Sequence, residues 1–318
     1  YHVFGTFRRV SSPNFSRLDY LGITDKVELI PFDLLDQSSI IYVLEYTKPD
    51  ELYNLAAQSF VGASFEQPVA TGEITGLGLT RVLDTVRNVN PNIRFYQASS
   101  SELFGNVVEV PQNESTPFNP KSPYAASKLY AHWITVNYRE AYKLFAVCGI
   151  LFNHESPLRG VEFVTRKITY NVALIKNGLA DKLILGNLEA KRDWGYAEDY
   201  VEAMWLMLQQ KVPKDYVIAT GKNHSVKEFA KRAFEFADMN YKDYLEVSDK
   251  YFRPTDVELL LGDPSKAVNE LGWKSDKTSL NELIKMMIDS DMKLVESQKN
   301  SHNIYNESNI KLYDHFKE

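Results

Sequence analysis

A tyrosine and a lysine four residues apart are the clearest chemical feature of the sequence. Tyr124 and Lys128 both lie in a predicted helix, Pro123–Tyr142, and their spacing places them on one helix face. A tyrosine pKa is ordinarily about 10, and a nearby ammonium group or nicotinamide cation lowers it. Such a tyrosine could take a hydroxyl proton near neutral pH while hydride leaves the same carbon. The spacing alone also fits an ordinary helix with an exposed tyrosine and a solvated lysine.

Three serines and a glutamate follow the strand that precedes this helix. The predicted strand Ile93–Ala98 ends in Ser99–Ser101, and Glu102 comes next. In a Rossmann-type sheet, a strand end and the next helix meet at one crevice, where Ser100 could bind the substrate oxygen that Tyr124 deprotonates. Glu102 suggests a second proton transfer, such as removal of a proton next to a new carbonyl. An acid that stabilises a helix N-terminus is an equally favoured role from the residues alone.

Strand-like and helix-like segments alternate along the first half of the chain. Strands are predicted at Val3–Arg9, Val27–Pro31, Glu51–Ala57, Ile93–Ala98 and Phe145–Leu151, and helices at Ser38–Tyr46, Val69–Val89 and Pro123–Tyr142. The second half is less regular, with predicted helices at Phe163–Asn177, Glu198–Gln210, Ser225–Ala237 and Leu280–Val295, and strands near Leu183–Leu185 and Asp215–Ala219. The pattern predicts an α/β fold with a Rossmann-type doubly wound parallel sheet and a smaller α/β C-terminal substrate domain.

Composition and charge exclude several classes of protein. The chain has 318 residues, a formal net charge of -6 and no long basic run, which disfavours a nucleic acid as partner. The sequence contains no run of about 18 apolar residues, which a membrane span would require, and no secretory signal is recognised. The single cysteine, Cys148, cannot form a disulfide framework, and the six histidines are scattered without metal-ligand spacing. We therefore expect a soluble cytoplasmic protein without a metal site.

Two adjacent arginines follow the first predicted strand. In dinucleotide-binding folds the residue after the second strand meets the adenine ribose, and an arginine there accommodates the 2'-phosphate of NADP. Arg8 and Arg9 therefore predict NADP, although a solvated basic pair is the alternative. Asp33 is expected to meet adenine, and the small residues of Leu55–Ala57 let the backbone approach the cofactor.

The Gly-rich phosphate-binding turn of such folds is missing from the sequence, which opens at Tyr1 on strand-like residues. The turn would precede Arg8 by one strand-turn-helix unit of about 30 residues. Without it, pyrophosphate binding at a helix N-terminus would be lost. We therefore expect that an N-terminal segment carrying this turn precedes Tyr1.

Several longer stretches match a known pattern in the right order. They are Phe7–Ser12, Tyr53–Ser59, Arg94–Ser99, Ser122–Lys128, Trp133–Glu140, Gly149–Pro157, Phe163–Thr169, Arg192–Gly195, Ala219–Gly221 and Tyr251–Pro254. Through them, nearly all of residues 1–295 resembles the GDP-mannose 4,6-dehydratase family of extended short-chain dehydrogenases/reductases. The resemblance implies a hydro-lyase with NADP as cofactor and GDP-mannose, or a close GDP-sugar, as substrate.

The resemblance also implies roles for individual residues. Tyr124 would take the 4-hydroxyl proton while hydride passes from C4 to NADP, and Glu102 would take the C5 proton and help expel the 6-hydroxyl as water. The expected catalytic residues are Ser100, Glu102, Tyr124 and Lys128. The expected NADP contacts are Arg8, Arg9, Asp33, Leu34, Leu55, Ala56, Ala57, Gln58, Ser59, Tyr124, Lys128, His154 and Arg159. The expected substrate contacts are Ser59, Ser100, Glu102, Asn153, Lys167, Gly186, Arg192 and Arg253.

The expected domains follow from these assignments. Residues 1–152 form the NADP-binding domain, to which parts of 195–225 return, and residues 153–295 mainly form the GDP-sugar-binding domain. Residues 296–318 are a polar tail. Because the family's Arg-Arg-x-Ser segment lies near a neighbouring subunit's cofactor site, the resemblance implies a homo-oligomer, a dimer or a tetramer.

Three positions depart from the family pattern and leave alternatives open. Ala70 stands where a tyrosine is common, Phe60 where a histidine is common, and Asp256 where a glutamate is frequent. The first two allow a relative that dehydrates another GDP-sugar, such as a GDP-mannoheptose. A GDP-4-keto-6-deoxymannose reductase and an epimerase are disfavoured by Glu102, because neither reaction removes a C5 proton. A non-catalytic NADP-binding protein is supported only by the missing Gly-rich turn.

Overall fold

The computed structural model describes residues 1–251, 257 and 259–300. Its strands are β1 (Phe4–Phe7), β2 (Glu28–Pro31), β3 (Glu51–Asn54), β4 (Arg94–Ser100), β5 (Ala146–Leu151), β6 (Asn153–Glu155), β7 (Leu183–Leu185), β8 (Lys191–Arg192), β9 (Trp194–Tyr196), β10 (Tyr216–Ile218), β11 (His224–Ser225) and β12 (Leu245–Val247). Its helices are α1 (Ser16–Leu21), α2 (Gln37–Thr47), α3 (Val61–Glu66), α4 (Pro68–Thr71), α5 (Gly78–Val89), α6 (Pro123–Tyr142), α7 (Val164–Lys176), α8 (Ala197–Leu208), α9 (Val226–Phe236), α10 (Ser265–Leu271) and α11 (Leu280–Asn300).

The chain folds into two units, which are described separately. The first unit comprises Tyr1–Leu151, Val201–Ile218 and Gly262–Trp273. The second comprises Phe152–Tyr200, Ala219–Leu261 and the chain from Lys274 onward, of which residues 301–318 lie outside the described residues. The chain therefore returns twice to the first unit after leaving it, and the second return, which carries α10, had no signal in the sequence pattern.

A parallel sheet organises the first unit. Its strand order is β10-β5-β4-β3, and β1 and β2 form a separate parallel pair. Every residue of β5 is buried, as expected for a strand covered on both faces. Because parallel strands end at the same edge of a sheet, the carboxyl ends of β3 and β4 lie side by side. Polar residues that follow either strand are therefore brought to one edge.

Apolar side chains on three helices form the core of the first unit. Aliphatic residues of α2 and α5 recur at helical spacing and pack with α6 and with the starts of β4 and β5. The buried cluster is Leu34, Ile40, Leu44, Leu79, Val82, Leu83, Val86, Ile93, Phe95, Ala131, Tyr138, Leu144 and Ala146. This core holds α6 against the sheet and so fixes the helix that carries Tyr124 and Lys128.

The helix α6 begins where its sequence specifies. The Ser122 hydroxyl accepts a hydrogen bond from the Ala125 amide at 3.0 Å, and Pro123 occupies the first turn. A serine cap stabilises a helix by about 1 kcal/mol, and proline at the first position loses no internal hydrogen bond. The helix ends at Lys143, which adopts a left-handed conformation with φ 60°. The predicted span, Pro123–Tyr142, is confirmed.

The predicted helix Val69–Val89 is interrupted by a π-helical turn at Gly72–Leu77 that joins α4 to α5. Glycines allow close approaches here that side chains would prevent. A Cβ atom on Gly76 would lie 3.3 Å from the Tyr130 ring, and one on Gly78 would lie 2.9 Å from the Leu34 Cβ. The wider turn therefore accompanies tight packing against α6 and the end of β2, and periodicity alone does not reveal it.

Several predicted boundaries are wrong by a few residues, including the end of β4, which lies at Ser100 and not at Ala98. Strand β1 ends at Phe7 and β3 at Asn54, so that Arg8 and the residues after Asn54 leave the ladder. The last helix continues from Leu280 to Asn300, beyond the predicted end at Val295. Strand ends depend on which neighbours continue the hydrogen-bond ladder, and that information is absent from local composition.

Among the described residues of the second unit, the helices α7, α9 and α11 pack with three short sheets. Strands β6 and β9 pair in parallel, as do β7 and β12, whereas β8 and β11 are antiparallel. The helices α7, α9 and α11 surround an apolar core that includes Ile168, Val172, Trp194, Phe229, Phe234, Leu283, Ile284, Met287 and Ile288.

A buried ion pair crosses between α7 and α11. The Arg166 Nε donates to both carboxylate oxygens of Asp291 at 2.7 and 2.9 Å, and the Thr169 hydroxyl donates to the same carboxylate at 2.7 Å. Arg166 also donates to the carbonyl oxygens of Pro157 and Arg159. Since Asp291 is fully buried, removing it would leave the guanidinium without its counter-charge.

Replacing Asp291 with alanine is therefore expected to destabilise the second unit by about 3–5 kcal/mol. Asp289→Ala is the matched control, because Asp289 lies on the same helix but forms an exposed pair with Lys285, with side-chain exposures of 53% and 58%. Exposed pairs contribute about 0–1 kcal/mol. Urea unfolding of the two variants measures the difference, and equal losses of stability would contradict the assignment.

Candidate active site

The carboxyl end of β4 carries the predicted serine and glutamate. Ser100 is the last strand residue, and its hydroxyl accepts a hydrogen bond from the Glu102 amide at 3.2 Å. This bond caps a single 3-10 turn, Ser101–Leu103, that places the half-buried Glu102 just beyond the sheet edge. The turn contacts α6, and so does β4. The strand end and the helix therefore meet, as the sequence spacing predicts.

Tyr124 and Lys128 lie on the buried face of α6. Tyr124 is 9% exposed, and the Lys128 ammonium lies 6.0 Å from the centre of its ring. The Lys128 Nζ donates a hydrogen bond to the Ala98 carbonyl oxygen at 2.8 Å. Burial lowers the pKa of Lys128 to about 8, and the nearby Cys148 thiol acts in the opposite direction. A lysine of this kind remains largely charged at neutral pH and can still exchange its proton.

Sequence reasoning missed a third polar residue on this helix face. His132 follows Lys128 by one helical turn, and its Nδ1 lies 3.0 Å from the Ser99 hydroxyl oxygen, within hydrogen-bond distance. Burial lowers the pKa of His132, which favours a neutral ring. The Lys128 and His132 bonds together tie α6 to two consecutive residues of β4. The spacing of 124, 128 and 132 was the available signal.

The two arginines and the segment around Asp33 directly follow the first two strands of the first unit. Arg8 and Arg9 follow β1 and are exposed. Asp33 follows β2, and its carboxylate accepts a hydrogen bond from the Leu35 amide at 2.9 Å, which stabilises the turn. Leu34 is buried in the core, so only its backbone could meet a ligand. Exposed guanidinium groups just after a strand suit a phosphate.

The residues after β3 leave the sheet with much of their surface accessible. Leu55 is 55% exposed, and Ala56 and Ser59 are also exposed, while Ala57 and Gln58 are half-buried. The Gln58 backbone amide donates to the Thr75 hydroxyl at 3.1 Å, which ties this segment to the π-helical turn. The Gln58 Oε1 is buried and has no hydrogen-bond partner among the described residues.

The second unit carries the remaining predicted cofactor contacts on and after β6. His154 stacks on Tyr200 at a centroid distance of 5.3 Å, and its Nδ1 lies 2.9 Å from the Phe152 carbonyl oxygen. Arg159 forms an ion pair with the buried Glu155 at 3.2 Å and covers the Phe163 ring. Burial raises the pKa of Glu155 despite this partner. These contacts orient the two predicted residues from within their own unit.

The predicted substrate contacts in the second unit lie on several elements. Asn153 starts β6 and is half-buried, and Gly186 directly follows β7. The Lys167 ammonium, on α7, lies 3.7 Å from the centre of the Tyr251 ring. Arg192, on β8, is 8% exposed and donates to the Lys191 carbonyl at 2.9 Å. Arg253 and Asp256 lie outside the described residues.

The first unit brings together a tyrosine, a buried ammonium, a hydroxyl and a carboxylate. The tyrosine could remove a hydroxyl proton, the ammonium could stabilise the resulting phenolate, and the glutamate could act on a neighbouring carbon. Within the described ranges, no three His, Cys, Asp or Glu side chains cluster as a metal ion would require. None of the described helices is long and apolar enough to cross a membrane.

Solved structures with the same overall fold include an epimerase and a dehydratase. A UDP-glucose 4-epimerase from Thermotoga maritima matches with a TM-score of 0.81 at 22% identity, over 93% of this chain and 92% of that one. A dTDP-glucose 4,6-dehydratase from Bacillus anthracis in complex with NAD matches with a TM-score of 0.80 at 20% identity, over 93% and 89%. These likenesses confirm the predicted Rossmann-type doubly wound α/β fold.

Sequence comparison identifies the family. The family model for GDP-mannose 4,6 dehydratase matches residues 1–287. GDP-mannose 4,6 dehydratase 1 of Arabidopsis thaliana is 52% identical over 309 residues, which cover 94% of this chain and 85% of the relative. The human GDP-mannose 4,6 dehydratase is 47% identical over 326 residues, or 95% and 87% of the two chains. As the sequence resemblance predicted, the chain belongs to the GDP-mannose 4,6-dehydratase family.

Proposed function

We propose that this protein converts GDP-D-mannose to GDP-4-dehydro-6-deoxy-D-mannose and water. The observation that carries the proposal is the arrangement at the end of β4. The buried Lys128 ammonium lies beside Tyr124, while Glu102 projects from the capped turn that contacts the same helix. A hydride-transfer enzyme needs the tyrosine and the lysine, and the additional carboxylate suits the loss of water.

The reaction follows from what each side chain can do with a proton. Tyr124, helped by the Lys128 ammonium, would take the proton of the sugar 4-hydroxyl so that a 4-ketone forms, and Ser100 would hydrogen-bond the same oxygen. The ketone acidifies the C5 proton, which Glu102 would remove and pass to the departing 6-hydroxyl. When hydride returns to C6, C5 regains one proton. Tyr124 then releases the proton that it took from the 4-hydroxyl, so that the protons balance. The net change is the loss of one water molecule.

NADP fits the first unit as the cofactor. When bound, it would accept hydride from C4 and return hydride to C6, so that no external oxidant is consumed. The exposed guanidinium groups of Arg8 and Arg9 suit a 2'-phosphate, and the unpartnered, buried Oε1 of Gln58 suits a polar ligand beside β3. The exposed residues Leu55 and Ala56 would allow a close approach, and Asp33 would meet the adenine.

Replacing Arg8 with alanine is expected to weaken NADP binding about 10- to 100-fold and to leave NAD binding nearly unchanged. A hydrogen bond to a charged group contributes about 1.5–3 kcal/mol, and only NADP carries the 2'-phosphate. Calorimetric titration with both nucleotides measures the difference. Arg87→Ala is the control, because Arg87 is paired with Asp84 at 2.8 Å on α5. Equal losses for NADP and NAD would contradict the 2'-phosphate assignment.

The second unit would hold the GDP-sugar. Lys167 and Arg192 supply cations for a diphosphate, and Asn153 and Gly186 supply polar and backbone groups. His154 and Arg159 of the same unit would contact NADP. In this proposal the first unit is the NADP-binding domain and the second the GDP-sugar-binding domain, with Arg253 as a further diphosphate contact.

Incubation with GDP-mannose and a catalytic amount of NADP tests the reaction. The expected result is a 4-keto product that absorbs in alkali, without net formation of NADPH. Stoichiometric consumption of NADPH with a 4-keto sugar would instead identify a reductase. Tight NADP binding without turnover would identify a non-catalytic protein. A parallel assay with a GDP-mannoheptose decides between the two dehydratase substrates, since Phe60 and Ala70 depart from the family pattern.

Assembly and location complete the proposal. The helix α6 presents Tyr130 and Trp133 with exposures of 43% and 56%, and Leu77 nearby is 42% exposed. Large exposed apolar side chains on neighbouring elements support a homo-oligomer, a dimer or a tetramer. The single cysteine, Cys148, is free and buried, which supports a reducing compartment such as the cytoplasm.

A further inference from the structure

Two buried amide side chains lie side by side on β3 and β4, close to the catalytic residues of the first unit. Asn54 ends β3, and Gln97 is its partner in register on β4. They are 6% and 1% exposed, and the Asn54 Nδ2 donates to the Gln97 Oε1 at 2.8 Å. This bond uses the oxygen of the Gln97 amide, so that its nitrogen is left to donate elsewhere.

The Gln97 nitrogen donates to the carbonyl oxygen that holds the catalytic lysine. The distance from Gln97 Nε2 to the Ala98 oxygen is 3.0 Å, and the same oxygen accepts from Lys128 Nζ at 2.8 Å. One carbonyl therefore binds a neutral amide and an ammonium at the same time. The two amides and the carbonyl form a continuous chain from β3 to Lys128.

We propose that Gln97 is a positioning residue that fixes the Ala98 carbonyl and, through it, the Lys128 ammonium beside Tyr124. The inference rests on the roles proposed above for Tyr124 and Lys128. A buried amide without partners costs about 1–3 kcal/mol, so the paired amides have one favourable orientation. In that orientation the Gln97 N–H donates to the Ala98 carbonyl oxygen, which also accepts from Lys128. The Gln97 bond therefore holds this carbonyl, and the ammonium bonded to it, in one position.

The pKa of Lys128 provides a way to measure the positioning role of Gln97. Burial lowers its pKa to about 8, and Cys148 on β5 favours the charged form. Tyr124 lies on the same helix, and the side chains of β4 that face α6 here, Gln97 and Ser99, carry no charge. A carboxylate in place of the Gln97 amide would stand within a few ångström of the ammonium. It would therefore raise the Lys128 pKa and draw the ammonium from its carbonyl.

The experiment compares Gln97→Glu with the unsubstituted full-length protein. Lysine ε-carbon NMR, assigned with Lys128→Met, measures the Lys128 pKa directly in the ligand-free protein. The expected result is a rise of at least about one unit, since one unit corresponds to about 1.4 kcal/mol of interaction. The alkaline limb of kcat should move upward by the same amount. We expect kcat to fall at least about tenfold while KM for GDP-mannose changes less than about threefold, as for lost positioning.

Gln112→Glu is the matched control. Gln112 is also fully buried in the first unit and donates to the Glu109 carbonyl at 2.7 Å, but it is not part of the chain that reaches Lys128. This variant should leave the Lys128 pKa unchanged. If Gln97→Glu also leaves the Lys128 pKa and the pH profile of kcat unchanged, Gln97 only joins two strands and the proposal is wrong.

A second variant covers the case in which Gln97→Glu does not fold. Gln97→Met keeps the volume but removes both hydrogen bonds, and it should lower kcat about tenfold with little change in KM. An unchanged kcat in this variant would overturn the proposal. Lys128→Met separately tests the catalytic assignment: if it retains full activity, the role of Lys128 fails, while the NMR titration still decides whether Gln97 sets its environment.

Discussion

Tyr124→Phe is expected to lower kcat for GDP-mannose by roughly a thousandfold, because removal of a general base costs about 10²–10⁴ in rate. Only one oxygen atom is lost, and the ring is 9% exposed at the capped start of α6, so the fold should be retained. The Lys128 ammonium would remain bonded to the Ala98 carbonyl. Steady-state assays of 4-keto product measure kcat, and calorimetric titration should show GDP-mannose affinity unchanged within about threefold.

Tyr130→Phe provides the matched control on the same helix. Tyr130 is 43% exposed, and its hydroxyl lies 3.0 Å from the Thr80 hydroxyl, so its loss removes a surface hydrogen bond and no catalytic group. Turnover should therefore stay within about twofold of the unsubstituted enzyme. Retained activity in Tyr124→Phe, or an equal loss in both variants, would remove Tyr124 as the base.

Local rules account for the part of the site that lies on α6. A serine before a proline specifies where the helix begins, and the spacing of Tyr124 and Lys128 specifies that they share its buried face. The same rule, extended by one turn, places His132 on this face, but its hydrogen-bond contact with Ser99 is known only from the structure. The meeting of this helix with the serines at the end of β4 follows from the strand-helix-strand rhythm of a parallel sheet.

Other parts of the site depend on register between distant strands. Asn54 and Gln97 are separated by 43 positions, and nothing in the residues around either one indicates that the two side chains meet. Their hydrogen bond exists because β3 and β4 pair in one particular register, which periodicity does not specify. The Ser100 cap on the turn that carries Glu102 also depends on where β4 ends, because the Ser100 hydroxyl can accept from the Glu102 amide only where the chain leaves the strand. The return of Gly262–Trp273 to the first unit likewise depends on long-range packing.

Glu102 carries the distinction between a dehydratase and a simpler hydride-transfer enzyme. Its position in the capped 3-10 turn, two residues after the end of β4, suits either an acid that stabilises the turn or a base for the C5 proton. Both roles predict some effect on stability, but only the second predicts a selective block after C4 oxidation. A substitution that keeps the side-chain volume and removes the charge separates them.

Glu102→Gln is expected to lower formation of the 6-deoxy product by about 10²–10⁴, the usual cost of losing a general base. Oxidation at C4 should continue slowly, because Tyr124 and Lys128 are untouched, and mass spectrometry should find a 4-keto sugar that retains its 6-hydroxyl. In deuterated water, the residual product should acquire deuterium at C5 far more slowly than with the unsubstituted enzyme. Glu140→Gln, an exposed glutamate on α6, should behave normally in both assays. A normal rate of 6-deoxy product from Glu102→Gln would leave the glutamate only its structural role and assign the C5 proton to another group.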